Sequence, residues 1–410
     1  MKNEYLLFSL NNGIRIIHKQ TNDDVAHCGV IINAGSRDEN ENEQGIAHLI
    51  EHVLFKGTKK RKAFHILNRI DAVGGELNAY TTKEETCIYA SFLTTHFERA
   101  VELIADITFN STFPEKEINK EKAVIEDEIN SYLDNPSEQI FDDFDELVFK
   151  NHPLGKNILG TPDSMKKIKR KDILNFVQRN YSGNQIVFSS IGNLDERKLK
   201  QIVEKHFGQI KLKSSTQKRL PFRKYKVQHV ATKKDTNQSH CIIGNVAYGV
   251  NHKDRTCLVL LNNLLGGPAM NSRLNLAIRE KYGFTYNLES NYAIFTDTGL
   301  FSVYMGTDTK HIERCVQLVH KELDLLKNKK MGIQQLQSAK QQLIGNIALA
   351  QESKVNVMLS LGKSVMLFNK VDTLSDIYKK IESISPEKIL DVANQVFEAK
   401  QMNRLTYLSK

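Results

Sequence analysis

Gly45-Ile-Ala-His48-Leu-Ile-Glu51-His52-Val-Leu-Phe55 holds two histidines four residues apart, with a glutamate immediately before the second. On a helix turning about 100° per residue, His48, Glu51, His52 and Phe55 fall within roughly a quarter-turn of one another. The rest of the circumference carries Ile46, Leu49, Ile50, Val53 and Leu54. A helix that is apolar nearly all round belongs in a core, where polar groups cost several kcal/mol unless they are paired or bind a metal. Two neutral imidazoles and one carboxylate, with a position left open for water, make a catalytic zinc shell. Such an ion lowers the pKa of water to about 7, and Glu51 stands close enough to accept the proton. The order H-x-x-E-H inverts the commoner arrangement of these residues.

The third ligand has to come from elsewhere. Pro114 suits the first turn of a long helix reaching about Leu133, closed by Asn135-Pro136. Ile118, Ile125, Ile129 and Tyr132 define its buried stripe, with Glu121 and Glu128, seven apart, on one flank. Glu126 lies on the other flank and spacing does not exclude it, whereas Asp127 points away from the stripe.

Around these segments the first half alternates strands and helices. A hairpin turns at Asn11-Asn12-Gly13 between 5–8 and 13–18, and an apolar strand covers 25–34. Helices are expected over 44–56, 62–73 and 95–109, and strands over 76–81 and 86–93. The polar, basic stretch 213–228 reads as a connection between a catalytic domain, 1–212, and a second domain, 229–410. The order Gly, strand, turn, strand, helix at 75–109 returns at 283–327, as an ancient duplication would leave it. The expected class is therefore α+β: two related domains, each a mixed, mostly antiparallel sheet packed with helices.

The residues assembled so far resemble the pitrilysin and mitochondrial processing peptidase family of inverted zincins, and the resemblance covers nearly the whole chain. That family pairs H-x-x-E-H with a zinc-binding glutamate about 76 residues on, inside a phrase like E-R-x-V-I-x-x-E-I. Here the phrase is Glu121-Lys-Ala-Val-Ile-Glu-Asp-Glu128-Ile, and 128 − 52 = 76. The resemblance selects Glu128 as third ligand beside His48 and His52, and Glu121 as a supporting carboxylate; Lys122 stands where arginine is usual.

Gly74-Gly75-Glu-Leu-Asn78-Ala79-Tyr-Thr81 is similar to the family's G-G-x-x-N-A-x-T, which implies an edge strand that captures peptide through Asn78 and Ala79. Leu265-Gly266-Gly267-Pro268 through Ser272-Arg273-Leu274 resembles a glycine-rich family segment, with Pro268 replacing the commoner third glycine. Arg279 and Tyr286 match R-x-x-x-G-x-x-Y, a pair implicated in gripping substrate and steadying the tetrahedral intermediate. The second half has no H-x-x-E-H, which confines catalysis to the first.

The resemblance implies a processing-peptidase-like fold and a zinc endopeptidase with one zinc ion per chain. It further implies peptides or unfolded segments as substrate, and a homodimer, or alternatively a heterodimer, enclosing a chamber. The rival is a non-catalytic scaffolding subunit, disfavoured by the complete motif.

Composition excludes other classes. The five cysteines are scattered without a C-x-x-C pair, against a disulfide framework or a thiolate zinc site. The net charge of +9 comes from lysines spread along the chain, with no aromatic-basic or finger spacing for nucleic acid. The acidic run Glu138, Asp142, Asp143, Asp145, Glu146 reads as a solvated helix face. No apolar run approaches the roughly 18 residues of a membrane span, and the N-terminus reads as the start of a strand, so a cytoplasmic location is expected.

Overall fold

A computed structural model describes residues 4–216, 218–223 and 226–410. The first three residues, and positions 217, 224 and 225 of the 213–228 stretch, lie outside the described residues.

Six strands form the first sheet: β1 (Leu6–Ser9), β2 (Arg15–Gln20), β3 (Val25–Ile32), β4 (Glu76–Thr81), β5 (Thr86–Leu93) and β6 (Ile186–Gly192), in the order β1-β2-β6-β3-β5-β4. All its pairings are antiparallel except β2 with β6. The β1–β2 hairpin turns at Gly13, whose φ of +91° suits glycine. The central strands β3 and β6 are buried almost throughout, as strands covered on both faces must be.

Helices α1 (Ile46–Leu54), α2 (Ala63–Asp71), α3 (Phe97–Asn110) and α4 (Glu115–Leu133) follow the expected segments closely. The main core gathers Val30, Ile32, Leu49, Ile50, Val53, Ile88, Leu103, Ile104 and Ile125 on one face of the sheet. The opposite face is covered by a helix from far along the chain, Lys354–Phe368. Its Val357, Met358, Leu361 and Val365 pack on Ile17, Val187 and Ile191.

The second sheet contains β7 (His229–Lys234), β8 (Ser239–Ala247), β9 (Thr285–Ile294), β10 (Gly299–Thr307) and β11 (Asn403–Ser409), in the order β7-β11-β8-β10-β9. The strand, strand, helix order of β4, β5 and α3 recurs as β9, β10 and the helix Ile312–Asn328. One face of this sheet receives α5 (Pro136–Val148), whose Ile140, Phe144 and Val148 join Ile242, Leu300, Leu405 and Tyr407. Asp142 of α5 accepts a hydrogen bond from the Tyr132 hydroxyl at 2.7 Å, and Asp143 accepts one from Tyr407, so the acidic run is partly engaged rather than wholly solvated.

The fold is α+β with two mostly antiparallel sheets, each flanked by helices. The described residues group into two compact units that are not contiguous in sequence. One combines Met1–Asn130, Lys156–Arg219 and Ala350–Val371; the other combines Ser131–Gly155, Leu220–Leu349 and Asp372–Lys410. The division at 213–228 did not include this exchange of helices. Among the described residues, no helix is long and apolar enough to cross a membrane.

Candidate metal centre

Helix α1 opens at Gly45, which takes φ +89°. A side chain there would meet the Leu159 carbonyl oxygen at 2.7 Å and Gly160 Cα at 2.9 Å, so only glycine lets the chain turn so close to that loop. Burial of Ile46, Ala47, Leu49, Ile50, Val53 and Leu54 fixes the rotation of the helix. The strip that remains carries His48, Glu51 and His52. The two imidazoles meet edge to face with centroids 4.6 Å apart.

On α4, buried Ile118, Ile125 and Ile129 lock the helix so that its Glu128 side chain reaches this strip. Glu128 Oε2 lies 3.9 Å from His48 Nε2 and 3.7 Å from His52 Nε2. One ligand atom from each of the three residues lies within 4.8 Å of the others, the single such group of His, Cys, Asp and Glu among the described residues. Ligands about 2.1 Å from a tetrahedral zinc stand roughly 3.4 Å apart, so small side-chain movements would close this triangle on an ion. The donor set, two imidazole nitrogens and a carboxylate oxygen, fits zinc with a position to spare. Glu126, which spacing had left open, is half-buried and does not join the group.

Glu121, one turn-pair before Glu128, is buried beneath the site. Its Oε2 accepts from His52 Nδ1 at 3.1 Å, and its Oε1 pairs with Lys56 Nζ at 2.8 Å. That bond puts the His52 proton on Nδ1 and leaves the Nε2 lone pair facing Glu128. Burial pushes the Glu121 carboxyl up, but hydrogen bonds from Lys56 and His52 outweigh it and hold it below its ordinary value. Sequence reasoning does not single out Lys56; its place four residues after His52, one helical turn on, is the signal the sequence offers.

Burial, then the neighbouring His52, lowers the His48 pKa to about 4, which keeps its imidazole neutral and able to donate a lone pair near pH 7. His48 Nδ1 is buried without a hydrogen-bond partner among the described residues. Burial raises the Glu51 carboxyl above its usual range, opposed by the Thr81 side chain and His52 and reinforced by Glu128. A carboxylate made more basic in this way is suited to taking a proton from water at neutral pH.

Asn78 and Ala79 lie on β4, opposite Tyr89 and Ile88 of β5. As the last strand of its sheet, β4 has a second edge with no strand partner among the described residues. Arg279 and Tyr286 belong to the second unit. Arg279 sits in the helical turn Asn275–Glu280, and Tyr286, 78% exposed, lies near the start of β9.

The family model described as "Insulinase (Peptidase family M16)" matches residues 15–162, and that described as "Peptidase M16 inactive domain" matches 167–343. The chain is 33% identical over 392 residues to "Uncharacterized zinc protease YmxG" of Bacillus subtilis (strain 168), covering 95% of both proteins. It is 31% identical over 398 residues to "Mitochondrial-processing peptidase subunit beta" of Bos taurus, covering 94% of this chain and 80% of that protein. Among solved structures, a protease from Helicobacter pylori superposes with a TM-score of 0.89 at 22% identity, over 98% of this chain and 99% of that one. A Pseudomonas fluorescens chain described as a peptidase M16 inactive domain gives a TM-score of 0.92 at 19% identity, over 99% and 98% of the two chains. Matches that span both halves, together with an H-x-x-E-H helix facing a distant glutamate, establish that the chain belongs to the insulinase family of peptidases, family M16.

Proposed function

We propose that the protein is a zinc-dependent endopeptidase in which His48, His52 and Glu128 hold one zinc ion and Glu51 is the general base. The observation that carries this reading is the convergence of those three ligand atoms within 4.8 Å. Family membership and relatives named as zinc proteases support it. A zinc ion held there supplies a Lewis acid that polarises the scissile carbonyl and acidifies water.

The chain's own residues do the remainder. Glu51 takes a proton from the attacking water as its oxygen bonds to the carbonyl carbon, then passes that proton to the departing amine as the C–N bond breaks. Glu121 holds the His52 ring in its tautomer. The free edge of β4 at Asn78 and Ala79 pairs with an extended substrate main chain. Arg279 and Tyr286, from the 229–410 half, contribute donors to the developing oxyanion.

Substrates are peptides or unfolded segments, admitted to a chamber between protomers. The relative named as a subunit supports assembly with a second chain, a homodimer here. The scaffolding alternative is not favoured, because every member of the motif is present.

Cleavage profiling with a peptide library, with and without a chelator, tests this function. Chelator-sensitive cleavage, restored by zinc, is the expected result. Absence of cleavage by the zinc-loaded chain, alone and with candidate partner chains, would reject it.

A further inference from the structure

The helix that carries His48, Glu51 and His52 begins without a side-chain cap of its own, since its N-cap is Gly45. The first N–H groups of any helix lack partners within it and need an acceptor from outside. Glu39, six residues before the cap, supplies one. Its Oε2 accepts from Gly45 N–H and its Oε1 from Ala47 N–H, each at 3.0 Å. Glu39 is only 6% exposed. Nothing in the chemistry assigned to the site uses it.

The segment bearing Glu39 is itself held firmly. Arg37 pairs with Glu84 at 2.6 Å, Asp38 with Arg219 at 2.8 Å, and Glu43 with Arg179 at 2.6 Å. A carboxylate fixed on such a loop transmits its position to whatever it binds. Here that is the backbone of Gly45 and Ala47, and Ala47 immediately precedes His48.

We infer that Glu39 is a positioning residue for the metal-binding helix: its two oxygens fix the first turn of α1 and thereby the direction in which His48 presents Nε2. The inference rests on the reading of His48, His52 and Glu128 as zinc ligands. Both Glu39 oxygens accept from N–H donors, an arrangement the ionised carboxylate satisfies best, since protonation leaves the hydroxyl oxygen a weaker acceptor. Burial opposes that charge and pushes the carboxyl up to about 8, with Glu43 adding to the rise; the Ala47 and Gly45 amides and the charge of Lys156 oppose it. The positive end of the helix also favours the anion.

Glu39→Gln keeps the size of the side chain but turns an amide NH2 toward one of the two backbone donors, and Glu39→Ala removes both acceptors. The test measures amide hydrogen exchange over 45–49, zinc affinity by chelator competition, and kcat and KM separately, on the full chain. The expected result is faster exchange at Gly45 and Ala47 and zinc binding weakened about tenfold or more, the size seen when a residue that orients a ligand is lost. kcat should fall while KM changes less than about twofold, since the substrate-pairing strand is untouched.

Should Glu39→Ala fail to fold, Glu39→Gln and the wild-type exchange decide, because the inference requires slow exchange at Gly45 and Ala47 in the wild type. Zinc affinity and 45–49 protection within about twofold of wild type in folded Glu39→Gln would overturn it. A wild type that binds no zinc would instead defeat the metal reading, leaving the exchange data to judge Glu39's hold on the helix.

Discussion

Glu121 Oε2 accepts a hydrogen bond from His52 Nδ1 at 3.1 Å, and through it one helix sets the tautomer of a histidine on another, one of the three residues proposed to hold zinc. Replacing the acceptor by an amide, Glu121→Gln, removes the charge that also pairs with Lys56. Zinc affinity should fall about 10- to 100-fold, as is usual when a ligand's supporting carboxylate is lost. Chelator competition measures this, and unchanged affinity would show that His52 does not depend on Glu121.

Glu51 shares the helix face with the histidines but is not needed to complete the ligand triangle. Glu51→Gln should therefore keep its zinc while peptide cleavage drops by about 10²- to 10⁴-fold, the usual contribution of a general base. Metal analysis alongside single-turnover kinetics separates the two effects. Retained turnover would exclude the proposed proton transfer.

Met358, fully buried, stands on the helix that covers the far face of the first sheet. Met358→Ala should cost about 2–5 kcal/mol in unfolding free energy, by lost transfer energy and the cavity left behind. Urea denaturation followed by circular dichroism reads this. A loss under about 0.5 kcal/mol would mean that this helix covers the sheet only loosely.

Acid should weaken the fold through His18. Its ring is buried between the Ser190 hydroxyl at 2.9 Å and the Leu194 carbonyl at 3.1 Å, and burial lowers its pKa despite those bonds. A histidine whose folded pKa lies below its unfolded value takes up its proton more readily when unfolded. Its contribution is therefore present above about pH 6.5 and is lost as pH falls from there through the folded pKa. Unfolding free energies at a series of pH values should decline on acidification, and less steeply in His18→Gln. Parallel curves for the two proteins would remove His18 as a cause.

Much of the site was legible because its signals are local. The H-x-x-E-H helix, expected over 44–56, spans Ile46–Leu54, and the strands expected at 76–81 and 86–93 occupy those residues. A two-faced strand or a helix wet on one strip writes its period into the sequence. Glu128 and Glu126 could not be separated by period, because each flanks the same buried stripe. The resemblance to a known phrase picked out Glu128, and the packing of Ile118, Ile125 and Ile129, which turns that flank toward the histidines, supplies the physical reason.

What stayed hidden depends on the path of the chain through space. An apolar face such as Val357, Met358, Leu361 and Val365 shows that a helix is buried but not which sheet it covers, so the exchange of helices left no mark. Glu39 gave no signal either, since a carboxylate in a polar run looks solvated until the turn at Gly45 brings the helix N-terminus onto it.

Anomalous scattering at the zinc edge from crystals grown with zinc tests the central claim most directly. A single strong peak within about 2.0–2.2 Å of a nitrogen of His48, a nitrogen of His52 and a carboxylate oxygen of Glu128 is the predicted result. A peak held by other residues, or none at these three with zinc in excess, would contradict it.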